Sequence, residues 1–411
     1  MLSPTAATTP VIVSAVRSPI GRAVKGSLAD TRADDLLAQV VAAALDRVVG
    51  VSLADVEDLL VGCGMPGGEQ GFNIARVVAV LLGRDDLPGT TVNRYCSSSL
   101  QTTRMAAHAI AAGEAEVLVS AGVETVSRFA AGSSDSLPGT QNPAFADAAR
   151  RSAELAGGGS DWTDPRLVGA LPDVYVAMGQ TAENVARLHG VTRADQDAFG
   201  VASQNRAEAA ADDGFWAREI VPVRTGDGRL VSVDDGPRRG VTLAAVAELK
   251  PAFRPDGTVT AGNCCPLNDG AAAVVVMSLQ RARDLGVTPL ARVVSTAVSA
   301  LSPEIMGLGP VEASRRALAR AGMSIDDVDL VEINEAFAAQ VLPSARLLGV
   351  AEDRLNVHGG AIGIGHPFGM TGARITATLL NGLATRDASV GLETMCVGGG
   401  QGMAMVVERI A

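Results

Sequence analysis

The sequence predicts an α/β fold in which helices cover buried sheets, and three features predict it. Apolar, β-rich runs alternate with alanine-rich helical stretches along most of the chain. Hydrophobic residues make up 47% of the 411 and charged residues only 19%, enough to bury a sizeable core in two or three domains. One helix–turn–strand unit also occurs twice, which points to an internal duplication.

Taken in order, residues 11–16 read as a strand and 33–49 as a helix with Asp34 and Asp35 in its first turn, where carboxylates meet the positive helix end. Residues 117–121, 271–277 and 404–408 read as further buried strands. The repeat pairs Gly50-Val-Ser-Leu-Ala-Asp-Val-Glu with Gly322-Met-Ser-Ile-Asp-Asp-Val-Asp. Carried forward, that register sets the helix around Arg104 opposite the helix around Arg374, and Cys96 opposite His366. Chance similarity of short units is one reading. Duplication explains more, because two halves around a pseudo-two-fold axis would bring Cys96 and His366 together at equivalent helix N-termini.

Residues 127–265 differ in texture. Residues 132–143 and 157–159 are rich in Gly, Ser and Pro and read as loops; 177–211 is helical, and 224–240 is turn-rich. This stretch reads as an insertion, and insertions on a rigid scaffold commonly form ligand-binding surfaces.

The net charge of −11 argues against a general nucleic-acid or acidic-membrane binder. Lys25 and Lys250 are the only lysines, so a basic patch must be built from arginine. The first residues lack the charged start and apolar block of a secretory signal, and no apolar stretch is long enough to span a bilayer. Five cysteines in a chain this long suit a reducing cytoplasm better than a disulfide framework.

Cys96, in Asn93-Arg-Tyr-Cys-Ser-Ser-Ser-Leu, stands just before a helix over 100–112. A helix N-terminus favours an anion and lowers a thiol pKa, so Cys96 reads as a nucleophile or as a buried cysteine whose serines cap the helix. His366 lies in a glycine-dense turn before a second helix, placed to exchange protons or donate a hydrogen bond. Cys396, in Cys396-Val-Gly-Gly-Gly-Gln-Gly, could act as an acid/base, with the N–H of Gly398 in an oxyanion hole. A dinucleotide loop is the rival there, but the spacing is not GxGxxG and opens no helix. Asn334, at the end of a strand over 329–333, reads as a holder of water or carbonyl or as a helix cap. Glu335 reads as catalytic, as an ion-pair partner or as a loop brace. His108 and His189 read as structural, while His358 could shape the pocket of His366. Cys264-Cys265 invites a metal or a vicinal disulfide, but no CxxC pair or histidine cluster accompanies it and no metal is expected.

Together the segments NRYCSSSLQ, NEAFA, GGAIGIGHPFGMTGAR and CVGGGQG, with GQTAENVA and GTVTAGN…LNDGAAA, resemble the thiolase family in order and spacing over nearly the whole chain. The resemblance implies a duplicated five-layered α-β-α-β-α core. Residues 1–126, completed by about 267–288, would form one half and 289–411 the other, with 127–266 as an inserted CoA-binding loop domain. It implies that Cys96 is acylated, that His366 activates it, and that His366 with a water on Asn334 then holds the enolate oxygen. Cys396 would shuttle the α-proton, and the N–H groups of Cys96 and Gly398 would hold the thioester oxyanion. Met178, Ala261 and Cys265 would flank the pantetheine, and arginines of 224–240, Arg229 among them, would meet the CoA phosphates.

The implied activity is an acyl-CoA C-acyltransferase that reversibly condenses acyl-CoA with acetyl-CoA or thiolyses 3-oxoacyl-CoA, in fatty-acid or related lipid degradation. Acyl-CoA and CoA would be its substrates, with no permanently bound cofactor and no nucleic-acid or membrane partner. A homodimer or homotetramer is expected. Val176-Ala-Met-Gly stands where biosynthetic acetoacetyl-CoA thiolases have Tyr-His-Met-Gly, and Cys265 where the family has Ser. Both changes bear on acyl length. The alternatives are a short-chain biosynthetic thiolase, a β-ketoacyl synthase and a non-catalytic acyl-CoA-binding subunit.

Overall fold

The computed structural model describes residues 6–131 and 139–410; residues 132–138 of the stretch read as a loop lie outside them. The strands are β1 (Pro10–Arg17), β2 (Asp58–Gly62), β3 (Gly89–Val92), β4 (Val117–Thr125), β5 (Asn268–Ser278), β6 (Ala291–Ala300), β7 (Leu330–Ile333), β8 (Val390–Val397) and β9 (Gln401–Arg409). Among the described residues, with the short strand Gly21–Arg22, they form a ten-stranded sheet in the order β7-β8-β9-β6-β1-β5-β4-β2-β3.

The sheet repeats itself outward from the β1–β6 seam. On one side β5 and β4 follow antiparallel and β2 parallel; on the other β9 and β8 follow antiparallel and β7 parallel. Where β3 extends the first half, a single parallel bridge from Val331 to Leu355 extends the second. The repeated octapeptides form matching 3-10 turns, Leu53–Asp55 and Ile325–Asp327, each with a capping box, Ser52 with Asp55 and Ser324 with Asp327. Gly50 (φ 83°) and Gly322 (φ 69°) both turn the chain in the left-handed region. The duplication read from the sequence is the architecture of the molecule.

Seven helices position the layers: α1 (Ala33–Asp46), α2 (Ser98–Ala112), α3 (Met178–Leu188), α4 (Arg193–Asp212), α5 (Gly309–Ala321), α6 (Ala338–Leu348) and α7 (Thr371–Thr385). Alternate residues of a strand face opposite sides. Val275 and Met277 therefore pack with α1, whereas Val274 and Val276 share a core with α2 and α7. Both faces are covered, which is why residues 271–277 are apolar without interruption. The second half-sheet packs Met395 and Met405 on α2 and α7, and Leu392 and Val406 on α5 and α6. The result is five layers, with α2 and α7 in the middle one.

Gly372 lets these two helices touch, since a Cβ there would lie 2.2 Å from Leu100 N. Ser99 Oγ accepts from Ala373 N at 2.9 Å, so the N-termini of α2 and α7 are locked together.

The helical stretch expected over 177–211 is two helices. Gly190 (φ 60°) turns the chain after α3, and Thr192 with Asp195 caps α4. The stretch read as an insertion is pinned to the core by fully buried Arg17, whose guanidinium donates to Asp234 Oδ1 and Oδ2 (2.7 and 2.9 Å) and to Glu219 Oε1 (2.5 Å). Among the described residues no helix is long and apolar enough to cross a membrane.

Candidate active site

Cys96 sits in a 3-10 turn, Tyr95–Ser97, that runs directly into α2. Tyr95 holds φ 42°, an uncommon conformation for a non-glycine residue, and local side chains enforce it. Tyr95 N donates to Asn93 Oδ1 (2.7 Å), and Ser98 Oγ accepts from Arg94 N (2.9 Å) and donates to Tyr95 O (2.7 Å). The serines thus shape the turn that presents the thiol. Backbone N–H groups of Gly398 and of Cys96 itself act on the sulfur and favour its thiolate. Burial is the larger effect and pushes the thiol up to about 11. A thiol lowered by the helix N-terminus, as the sequence suggested, is therefore not the resting form.

His366 is held from three sides. Its backbone N–H donates to Asn268 Oδ1 (3.0 Å), its Nδ1 lies 2.6 Å from Thr371 Oγ1, and its Nε2 lies 3.3 Å from Asn334 Nδ2. Thr371 spends its one proton on Pro367 O (2.6 Å), so it accepts from Nδ1–H and leaves Nε2 as the unprotonated nitrogen, which accepts from Asn334 Nδ2. Burial, helped by the positive charge of Arg374, pushes the imidazole down to about 3, so it is neutral at rest. Asn334 Oδ1 is buried without a partner beside it, an acceptor fit for a water.

Cys396 is the last residue but one of β8, and Gly398, Gly399 and Gly400 close a hairpin onto β9, with φ 74° and 80° at the last two. This is a strand-to-strand turn, which removes the dinucleotide-loop reading. Burial raises the Cys396 thiol above its ordinary pKa, and nearby Cys96 raises it further. Cys265 feels both Cys96 and Cys396, so three sulfurs share one neighbourhood. Cys96 opens onto a cavity of about 480 Å³ walled by Met65, Val176, Met178, Phe368 and Gly398. The His366 ring meets the ring of Phe368, a residue of that wall, edge-on at 5.3 Å between centroids. Phe337, Met178 and Cys265 pack around Cys396 in one apolar cluster. All five cysteines are free.

The structure therefore brings Cys96, Cys396 and Gly398 together, with Met178 and Cys265 against them, and pairs His366 with Asn334 beside Phe368 of the same cavity wall. Ala261 lies on an exposed turn four residues before Cys265. Arg229 lines a separate cleft with Arg22 and Lys25. Among the alternatives for Glu335, the loop brace is the observed one: its carboxylate accepts from Ser203 Oγ (2.5 Å), Asn356 Nδ2 (2.8 Å) and Ile362 N (3.0 Å). His358 stacks on Phe215 with ring centroids 3.7 Å apart, in the core around α7 rather than at the cavity.

Two family models cover the chain: the thiolase N-terminal domain matches residues 10–280 and the thiolase C-terminal domain residues 287–409. The chain belongs to the thiolase family. It is 46% identical over 406 residues to the acetyl-CoA acetyltransferase of Cupriavidus necator, covering 97% of this chain and 99% of that protein. It is 44% identical over 411 residues to the beta-ketoadipyl-CoA thiolase of Pseudomonas aeruginosa, with 97% and 98% covered. The crystal structure of the dimeric peroxisomal thiolase of Saccharomyces cerevisiae superposes with a TM-score of 0.87 at 32% identity, covering 100% of this chain and 99% of that one.

Within this thiolase-family site, sequence reasoning missed Thr371, Asn268 and Glu124. Glu124, at the end of β4, accepts from Gly64 N (2.7 Å), Gly369 N (2.9 Å) and Gln70 Nε2 (2.8 Å), and so ties the histidine turn to the first half. A signal for Thr371 was available: it follows His366 by five residues at the start of a helix. Glu124 and Asn268 carried no comparable signal, since their partners, mostly backbone groups, are distant in sequence.

Proposed function

We propose that the protein is an acyl-CoA C-acyltransferase that cleaves 3-oxoacyl-CoA with CoA, and runs the reverse condensation, through an acyl group on Cys96. The observation that carries this reading is the Cys96 sulfur lying under two backbone N–H groups with a second buried thiol, Cys396, close by.

In thiolysis the Cys96 sulfur attacks the 3-oxo carbon and its proton passes to His366 Nε2. The N–H groups of Cys96 and Gly398 hold the resulting oxyanion. The C2–C3 bond breaks, the electron pair stays on C2, and the enolate oxygen is held by His366 and a water on Asn334. Cys396 gives its proton to C2, which completes acetyl-CoA. CoA then attacks the acyl-cysteine and returns its proton to Cys396, and Cys96 recovers its own from His366. Dividing the reaction this way avoids bringing three reactants together.

The insertion, residues 127–266, supplies Met178 to the cavity wall and Cys265 to the neighbourhood of Cys96 and Cys396, and is assigned to CoA binding. The cavity beside Val176 takes a 3-oxoacyl chain, and the role is degradation of fatty acids or related acyl chains. Free thiols suit the cytoplasm, and a homodimer or homotetramer is the working assembly. Replacement of Cys96 by alanine tests the reading: thiolysis of acetoacetyl-CoA and longer 3-oxoacyl-CoA should fall at least about 10⁴-fold, with circular dichroism and melting unchanged. Retained turnover in Cys96→Ala contradicts it.

A further inference from the structure

A second cavity, of about 300 Å³, lies where β1 passes the C-terminal half of α7, and it shares no residue with the cavity at Cys96. Alternate residues of a strand face opposite sides, yet Val13, Ser14 and Ala15 of β1 all border it. The register of β1 slips between Ile12 and Ser14, and a bulge of that kind re-aims side chains. Ser14 is buried there, and its hydroxyl has no hydrogen-bond partner. Such a group costs free energy unless a ligand or water in the cavity meets it. From α7, Leu380 and Ala384 extend the apolar part of the lining. Thr371 and Ala384 stand near opposite ends of that helix, roughly 20 Å apart, so the cavity is separate from the site at His366.

The rest of the lining is cationic. Arg47, Arg218 and Arg409 border the cavity, in a chain of net charge −11. Arg409 is paired with Asp387, whereas among the described residues Arg47 and Arg218 form no ion pair. Neutral acceptors hold these two instead. Arg47 donates to Arg218 O (2.6 Å) and Ile220 O (3.3 Å), and Arg218 donates to Thr385 Oγ1 (2.7 Å), which leaves each guanidinium with donors to spare. Glu219, the carboxylate of the lining, is spent on Arg17 in the core (2.5 Å). Guanidinium groups without counter-charge favour an anion, and their N–H forks suit a carboxylate. The apolar side chains beside them suit a hydrocarbon tail, and a volume at the lower end for small-molecule sites keeps that tail short. We propose that this cavity is a second ligand site, which takes a short-chain carboxylic acid with its carboxylate on Arg47 and Arg218 and its tail on Ala15, Leu380 and Ala384.

Isothermal titration calorimetry of the full chain with octanoate tests this, with octanol and inorganic phosphate as probes of the tail and the charge taken singly. Octanoate should bind, and each of the other two should bind at least roughly tenfold more weakly. Arg218 and Ala384 are both exposed, so each can be replaced without disturbing the core. Arg218→Ala removes one charged donor and should weaken octanoate roughly tenfold. Ala384→Phe fills the tail end while keeping both guanidinium groups, and should weaken octanoate by as much and leave phosphate unchanged. No binding of octanoate at millimolar concentration, or an affinity that survives both substitutions, overturns the site. Phosphate bound as tightly as octanoate overturns the carboxylic-acid assignment.

Discussion

A neutral thiol and a neutral imidazole are cheap to bury, whereas a thiolate–imidazolium pair is not. The site shows this at the residue scale: burial pushes Cys96 up to about 11 and His366 down to about 3. In the proposed mechanism proton transfer therefore accompanies attack on the carbonyl, when the charge moves on to an oxygen that backbone N–H groups await. Such a base depends on its tautomer. Thr371→Val keeps the side-chain shape but removes the acceptor for Nδ1–H, so kcat should fall roughly 10- to 100-fold with KM little changed, less than the 10²–10⁴-fold that a missing base costs. A pre-steady-state acylation rate equal to that of the unmodified protein would show that Thr371 does not orient the ring. Cys96, His366 and Cys396 were legible in the sequence because each sits in an uncommon glycine- or serine-dense turn. Their protonation states were not, because desolvation is a property of the assembled pocket.

At the scale of elements, the proposed catalysis depends on two helix N-termini meeting. The repeat placed α2 opposite α7, and the strand order realises that pairing. The sequence did not disclose how close they come, since a glycine reveals its packing only once the partner is known. A Cβ at Gly372 would strike backbone atoms of Leu100, which cannot rotate away. Gly372→Ala should therefore cost about 1–3 kcal/mol in urea unfolding and lower kcat further than that loss of stability explains. A variant with normal activity and stability would mean that the contact is not needed. The Glu335 brace escaped reading for a related reason: its three partners come from α4, the Asn356 turn and Ile362, which only the fold assembles.

Across the whole molecule, buried charge sets the response to pH. Glu332 and Glu393 are register partners on β7 and β8, both buried, and burial pushes each carboxyl up to about 8. The folded state keeps these protons, whereas the unfolded chain releases them above about 4.5. Stability is thus fully present below about 4.5 and is lost as pH climbs to about 8, by up to about 1.4 kcal/mol per pH unit for each group. Glu393→Gln retains an acceptor for Thr376 Oγ1 and removes one titration. Its melting temperature should vary less between pH 5 and 8, with its largest advantage at pH 8; parallel curves would contradict the assignment. Neither glutamate stood out in the sequence, where each is one acid in an apolar run.

The central claim is covalent chemistry at one sulfur, and intact-protein mass spectrometry reads it directly. Mixed with acetoacetyl-CoA and no free CoA, the protein should gain one acetyl group, which peptide mapping places on Cys96 and added CoA removes. An adduct on another residue, or none while thiolysis proceeds, would contradict the mechanism.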